Sequence, residues 1–156
     1  MYEEDHEYDE HVWLSLKNAE KIVNKIAEAV VKIDSEQRAL YETNKNAYLE
    51  KLESLDASYE VAVQEAKGKI LLFGDRFPFR YLTEDYGLTY YAAFPGCSAE
   101  TEASFETIVF LADKIEECKL PCILTIDGSD KTIAESIQKN VDGDVAIKEL
   151  NSLQSV

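Results

Sequence analysis

The residues from Ser35 to Lys67 contain no proline and no glycine, and this stretch constrains the fold more than any other. It is rich in Leu, Ala, Glu, Lys and Gln, which favour helices, and its larger apolar side chains recur about one helical turn apart. We therefore predict one continuous helix, roughly 50 Å long, that extends beyond a small domain or braces it. Asp34 and Ser35 offer an N-cap, and Gly68 offers a stop. A coiled-coil arm is the alternative, but the apolar spacing drifts from a strict heptad.

A second helix is predicted just before this one. From Leu16 to Ile33 the apolar residues return to one face, and Ser15 can cap the start. The two helices would form a hairpin whose apolar faces need another layer, so we expect an exposed patch and self-association through the long helix. That patch is expected to include three large side chains: Tyr41, Tyr48 and Leu52.

Beyond Gly68, short apolar runs alternate with helical patterns. Such alternation is typical of a parallel sheet covered on both faces. The predicted fold class is therefore α/β, a three-layer α/β/α lobe with a mostly parallel four-stranded sheet, preceded by the helical hairpin. Three regions follow: a flexible acidic segment (1–11), the hairpin (12–67, with the long helix at 35–67) and the lobe (68–156). The strands are expected at 69–73, 88–94, 121–126 and 145–150.

Ligands of such sheets bind outside the carboxyl ends of the strands. The loops predicted there are 74–77, 94–102, 127–130 and 151–154. They carry a mostly acidic rim, although acidic loop residues also serve as turn formers and helix caps. The rim consists of Asp75, Arg76, Glu100, Glu102, Asp127, Asp130 and Asn151.

Both histidines of the chain, His6 and His11, lie in its acidic first eleven residues. A segment this charged cannot bury itself, so we expect residues 1–8 to be poorly ordered. Carboxylates and imidazoles are ligands that divalent cations accept, so this segment could gather metal ions loosely. The apolar residues after His11 should anchor it to a packed surface, and we predict that Trp13 is buried.

The balance of 16 basic against 31 acidic residues gives a net charge of -15, which argues against nucleic acid as a partner. Cations are the better electrostatic match, although acidity also simply keeps proteins dispersed. The first residues lack the basic start of a signal peptide, so any export signal is expected to be absent from this chain. Three cysteines, Cys97, Cys118 and Cys122, leave at least one unpaired, and their disulfide state stays open.

Several motifs of enzymes are missing from the sequence. It has no GxGxxG or GxxxxGK[ST] phosphate loop and no GxSxG elbow. No serine or cysteine of the sheet region has a histidine near it in sequence to act as its base. A phosphoacceptor at Asp75 on a receiver-like sheet does not suit the preceding hairpin. We therefore expect a protein that is not an enzyme.

The run from Asp9 to Ser15, DEHVWLS, resembles the D-x-H-x-W-L motif in the solute-binding proteins of zinc and manganese ABC importers. The resemblance continues through the long helix and the FGDRF run at 73–77, where the family has Phe-His-Asp-Ala-Phe. It also includes the runs at 85–88, 98–104 and 120–123. The family has two α/β lobes joined by one rigid helix, with the metal between them. The chain thus looks like the linker helix and C-terminal lobe, without the N-terminal lobe.

The resemblance implies a set of metal ligands. The motif histidine falls on His11, and the next family ligand, a histidine, falls on Gly74, beside which Asp75 could offer an oxygen. The last ligand, an acidic residue, falls near Asn151. The expected zinc or manganese site is therefore centred on His11, with Asp75 and Asn151 as weaker candidates and the Asp5, Glu7, Asp9 and Glu10 carboxylates nearby. Binding should be weak, since a closed zinc site needs more ligands.

Two functions follow from the resemblance. The first is metal capture and delivery to an ABC permease, by a protein that is extracytoplasmic and either membrane-anchored or periplasmic. The second is a surface adhesin or interaction module of the same fold with a degenerate metal site. An enzyme ranks third because no nucleophile and base can be paired.

Overall fold

A computed structural model of the chain describes residues 9–95 and 102–154. A 3₁₀ turn at Val12–Leu14 leads into a hairpin of two helices, α1 (Leu16–Ile33) and α2 (Arg38–Glu65). Strands and helices then alternate as β1 (Ile70–Phe77), α3 (Arg80–Tyr86), β2 (Thr89–Pro95), α4 (Phe105–Cys118), β3 (Cys122–Ile126), α5 (Thr132–Gln138) and β4 (Ala146–Leu150). Within the described ranges, no helix has the length and apolar content needed to cross a bilayer.

The four strands form one sheet in the order β2-β1-β3-β4, and every neighbouring pair is parallel. The chain moves from β1 to β2 on one side and then returns past β1 to β3 and β4. Helices α4 and α5 pack on one face of the sheet, and α3 with the 3₁₀ turn packs on the other. This arrangement confirms the predicted three-layer α/β fold.

Two apolar cores lie on either side of the sheet. Leu72 and Ile123 point to the α4 and α5 face, where they meet Leu111 and Ile137. The opposite core is aromatic and is built from Phe73, Phe77 and Phe79, together with Leu14 and Ile126. Alternate residues of each strand thus enter opposite cores, as the pleat of a strand requires. Leu14 places the first turn of the described chain directly on the sheet.

The hairpin matches its prediction in α1 but not at the start of α2. Helix α1 spans the predicted residues, and the Ser15 side chain accepts a hydrogen bond from the Asn18 N–H at 3.0 Å, which confirms the cap. The predicted Asp34–Ser35 cap of the long helix is wrong, because Asp34 instead lies at the C-terminal end of α1. Helix α2 begins after Gln37, and no described side chain caps it.

The end and the packing of α2 also differ from expectation. The helix ends at Glu65, and Ala66 is already extended, so the chain leaves the helix before Gly68. Leu52 was expected in the exposed patch but is buried, and Tyr41 is half-buried with its hydroxyl donating to Asp34 at 2.8 Å. Tyr48 is 51% exposed, as predicted.

Strand β1 is longer than the sequence indicates. Residues 74–77 were predicted to form a loop, but β1 continues to Phe77. A bulge between Phe73 and Arg76 interrupts the pairing of β1 with β2, and the pairing resumes where Arg76 lies opposite Phe94. A bulge turns one side chain out of register without ending the strand, so Asp75 lies within the sheet rather than on a free loop.

Candidate metal centre

His11 lies at the start of the 3₁₀ turn and is 1% exposed. Its Nδ1 is 2.7 Å from Asp9 Oδ1, and its backbone N–H donates to the same oxygen at 2.9 Å. A carboxylate that accepts from Nδ1–H fixes the tautomer, so the lone pair of the ring lies on Nε2, where a metal can be bound. Asp9 lies two residues before His11, so its carboxylate can reach both the backbone N–H and the ring of His11.

Helix α3 holds the motif in place. Ser15 Oγ donates to Asp85 Oδ2 at 2.6 Å, and the Tyr81 hydroxyl donates to the carbonyl oxygen of Asp9 at 2.9 Å. Leu14 is inserted into the aromatic core between these two contacts. The backbone of the histidine segment is therefore attached to the lobe at both ends.

Trp13 is not buried, and the prediction that it would be was wrong. Its side chain is 39% exposed, because the 3₁₀ turn directs Leu14 to the core and leaves the indole at the rim. The indole ring still contacts His11, with ring centroids 5.3 Å apart and planes tilted by 60°. Its Nε1–H donates to the carbonyl oxygen of Ser152 at 3.4 Å. The apolar anchor of His11 is therefore Leu14.

Three potential ligands converge at this turn. One ligand atom from each of Asp9, Glu10 and His11 lies within 4.8 Å of the others, and among the described residues this is the only group of three His, Cys, Asp or Glu side chains that does so. Because Asp9 binds Nδ1, a metal on Nε2 would lie at another edge of the ring, so the imidazole and the Glu10 carboxylate are the candidate donors for Zn²⁺ or Mn²⁺, and Asp9 orients the imidazole. Asp5, Glu7 and His6 lie outside the described residues.

Asp75 lies at the bulge of β1 and is 8% exposed. One of its carboxylate oxygens accepts from the Arg76 N–H at 2.8 Å, and the other accepts from the Ile126 N–H at 3.1 Å. The bond to Ile126 joins β1 to the end of β3, so the Asp75 carboxylate stabilises the sheet. It does not belong to the group around His11, and its role as a ligand stays a prediction.

Gly74 shows why a histidine is not accommodated here. A Cβ at this position would lie 2.8 Å from Ala134 Cα and 2.9 Å from both Ala134 Cβ and Ile123 Cγ2. Helix α5 therefore packs directly on the backbone of β1. Contacts this close to a backbone atom cannot be relieved by a rotamer change, so any larger side chain would have to displace the helix.

Asn151, which follows β4, and Asp127, which follows β3, both make hydrogen bonds within the lobe. Asn151 is exposed, and its Oδ1 accepts from the Leu153 N–H at 2.7 Å, so its role as a ligand stays a prediction. Asp127 Oδ1 accepts from both the N–H and the Oγ–H of Ser152, each at 2.6 Å. Asp127 was expected on the acidic rim, but nothing in the sequence indicated that it binds Ser152.

A cleft of about 360 Å³ opens between the carboxyl ends of β1 and β3. The chain leaves β1 in one direction and β3 in the other, so this is the switch point at which open α/β sheets bind ligands. Of the predicted acidic rim, Glu102 is exposed on the loop before α4, and Glu100 lies outside the described residues. The cleft is lined by Asp75, Arg76, Asp127, Ser129, Asp130 and Gln154, among others.

Comparisons with known proteins agree with this architecture. The whole chain, residues 1–156, matches the family model described as zinc-uptake complex component A, periplasmic. The zinc-binding lipoprotein AdcA of Streptococcus pneumoniae is 32% identical over 151 residues, which are 97% of this chain and 29% of that protein.

Two solved structures extend the comparison. A Zn(II)-bound variant of AdcAII from Streptococcus pneumoniae superimposes with a TM-score of 0.78 at 28% identity, over 95% of this chain and 52% of that one. The laminin-binding protein Lbp of Streptococcus pyogenes gives a TM-score of 0.79 at 22% identity, over 94% and 55%, which is a likeness of fold alone. This chain thus spans well under two thirds of each of these relatives. Because the family match extends over the entire sequence, the chain belongs to the zinc-uptake complex component A family.

Proposed function

We propose that this chain forms the linker and C-terminal lobe of a protein that captures zinc outside the cytoplasm for an ABC permease. The observation that carries the proposal is the buried imidazole of His11, oriented by Asp9 at 2.7 Å and accompanied by Glu10 within 4.8 Å. Histidines that bind metal typically donate their other ring N–H to a carboxylate in this way. The family match and the names of the relatives support zinc as the cargo, with manganese as the alternative metal.

The proposed partners follow from the length of the chain. Its relatives are about twice as long or longer, so delivery to a permease and anchoring or release outside the cytoplasm belong to the proposed whole protein. The hairpin leaves apolar side chains uncovered, including Ile26 and Leu40 at 58% and 52% exposure. An N-terminal lobe is the proposed cover for this face. A second copy of the chain is the alternative, and it would give a homo-oligomer through α2.

The site should bind zinc weakly in this chain alone. Closed zinc sites use four ligands, whereas the described group offers one nitrogen and the Glu10 carboxylate, since the Asp9 carboxylate already binds Nδ1. The proposed additional ligands, Asp75 and Asn151, both make hydrogen bonds within the lobe that metal binding would have to replace. A partner lobe that supplied a further ligand would raise the affinity.

An adhesin of the same fold is the second candidate. The packing of α5 on Gly74 favours it, because the lobe has closed the space in which the family places its next histidine. A protein that had lost metal capture would still retain its surface. The two candidates differ in whether His11 binds metal.

Calorimetric titration of the chain with Zn²⁺ and then Mn²⁺ tests the proposal. The His11→Ala variant should bind Zn²⁺ at least about ten-fold more weakly, since loss of the nitrogen leaves only carboxylates. His6→Ala is the matched control and should bind as the native chain does. Circular dichroism confirms that each variant is folded, and His11→Asn serves if His11→Ala is not. Equal zinc affinity in the native and His11 variants would exclude His11 and favour the adhesin.

A further inference from the structure

The two ends of the described chain meet at the metal centre. Trp13 precedes α1 and Ser152 follows β4, and a hydrogen bond from the indole Nε1–H to the Ser152 carbonyl oxygen joins them at 3.4 Å across 139 positions. At that length the bond is weak. It can orient the indole only if its acceptor is held rigidly from the other side.

Asp127 supplies that rigidity. Its Oδ1 accepts from the Ser152 N–H and Oγ–H at 2.6 Å each, and hydrogen bonds to an ionised carboxylate are among the strongest in proteins. Ser152 is 1% exposed, so water competes little for these bonds. Asp127 directly follows Ile126, the last residue of β3, and β3 lies between two parallel neighbours in the sheet. The turn after β4 is therefore fixed to the interior of the sheet.

The indole needs such a support because the core does not provide one. Trp13 is 39% exposed, while its ring lies 5.3 Å from the imidazole of His11. Asp9 fixes Nδ1 of that imidazole, and the indole limits the tilt of the ring about this bond. A shift of the indole would therefore let the imidazole turn about its bond to Asp9 and change the direction of the Nε2 lone pair.

We propose that Asp127 is a positioning residue for metal capture, acting on His11 through Ser152 and Trp13. The inference rests on the proposed function, in which His11 is the zinc ligand. It adds a residue on a different element, with no ligand role of its own.

The chain contains one tryptophan, so its fluorescence reports on Trp13 alone. In Asp127→Ala without metal, the Trp13 emission should shift to longer wavelength and its anisotropy should fall, because the indole becomes freer and wetter. Calorimetry with Zn²⁺ should show affinity weakened by about ten-fold, the low end of the roughly 10–100-fold loss typical when support of a metal ligand is removed. Asp127→Asn keeps an acceptor oxygen and should restore most of both properties.

Asp130→Ala is the matched control. Asp130 lies on the same loop and lines the same cleft, but its Oδ1 accepts from the Thr132 N–H rather than from Ser152. Removing the Asp130 side chain deletes one negative charge, as Asp127→Ala does, but leaves the hydrogen bonds from Ser152 to Asp127 and from Trp13 to Ser152 in place. Both the emission and the zinc affinity should stay within about two-fold of the native values, since an exposed charge is largely screened.

A double-mutant cycle tests the route. Trp13→Phe keeps an aromatic ring but removes the N–H donor, so Asp127→Ala added to Trp13→Phe should weaken zinc binding no further. Additive losses, or a loss in Asp127→Ala no larger than in Asp130→Ala, would overturn the inference. If Asp127→Ala does not fold, Ser152→Ala decides, with an expected loss of about three-fold and a smaller red shift.

The outcomes separate this inference from the proposed function. If His11→Ala binds zinc as the native chain does, the proposed function fails, and the metal-free emission of Trp13 still tests the link from Asp127 to the indole. If His11→Ala loses affinity while Asp127→Ala and Ser152→Ala do not, only the positioning role of Asp127 is wrong.

Discussion

The α/β lobe and the helical hairpin bury very different shares of their apolar side chains. In the lobe, Phe73, Ile123 and Ile137 are all at 0% exposure. Across α1 and α2, all of whose residues are described, Val31 and Leu52 are the two buried residues. Burial of apolar surface is the main stabilising term in folding, so the lobe carries most of the stability of this chain. The hairpin is formed by helix propensity and a narrow line of contact between α1 and α2, and it leaves apolar side chains such as Ile26 and Leu40 exposed.

Helix α3 joins the two regions by specific contacts rather than by a broad core. The Tyr86 hydroxyl donates to Asp56 of α2 at 2.6 Å, and its ring stacks on Tyr59 with centroids 5.4 Å apart. Ser15 at the start of α1 donates to Asp85 of the same short helix. The junction is therefore polar and aromatic, and it sets the direction in which the hairpin leaves the lobe.

Truncation of one isoleucine in each region tests this difference most directly. Ile123→Ala leaves a cavity in the core and should lower the free energy of unfolding by about 3–4 kcal/mol. Ile26→Ala, at a side chain 58% exposed in α1, should change it by less than about 0.5 kcal/mol. Urea unfolding followed by circular dichroism measures both. Similar losses would mean that the hairpin is covered in solution, which sedimentation at several concentrations would reveal as self-association.

Alanine substitutions of Gly74 in β1 and of Gly68 before β1 compare a tightly packed position of the lobe with an open one at its edge. Gly74→Ala forces a Cβ to within 2.8 Å of Ala134 Cα and should lower the free energy of unfolding by about 1–3 kcal/mol through overpacking. Gly68 lies in the connection from α2 to β1, and a Cβ there would meet no described atom within 4 Å, so Gly68→Ala should be nearly neutral. Thermal unfolding of the pair gives the answer. Equal midpoints would show that α5 can move away from β1, which would reopen the space for a histidine.

The fold was largely predictable because its signals are local. The Ser15 cap and the apolar period of α1 predicted both of its ends. The start of α2 was missed because Asp34 can serve either helix, and only the length of α1 decides which. The extension of β1 past Gly74 was missed because it depends on a bulge and on renewed pairing of Arg76 with Phe94 of β2, which no local signal in the sequence reveals.

The candidate site was predictable only in part, for the same reason. His11 was singled out by its motif, and its pairing with Asp9 involves residues two positions apart. The bonds of Ser152 to Asp127 and Trp13 join residues 25 and 139 positions apart, and no periodicity or motif encodes such contacts. The exposure of Trp13 was mispredicted because several apolar residues follow His11, and only the geometry of the turn decides that Leu14 rather than Trp13 faces the core.

The smallest expected effect concerns the junction itself and appears mainly at alkaline pH. Burial, followed by the hydrogen bond to Asp56, raises the pKa of Tyr86 far above its ordinary value of about 10. The folded state thus holds the phenol proton more firmly than the unfolded state does. The resulting stability is present below about pH 10 and is lost as the pH rises above that value. Tyr86→Phe should cost about 1 kcal/mol at pH 7, for the lost hydrogen bond, and should lessen the alkaline loss.

Urea unfolding at pH 7 and at stepped values above pH 9 measures this contribution. Tyr48→Phe is the control, since Tyr48 is 51% exposed on α2, and its alkaline profile should follow that of the native chain. A Tyr86→Phe profile parallel to the native one would place the alkaline sensitivity elsewhere. The contact between hairpin and lobe would then be stabilised by the stacking of Tyr86 on Tyr59, which phenylalanine preserves, rather than by the hydrogen bond from the Tyr86 hydroxyl to Asp56.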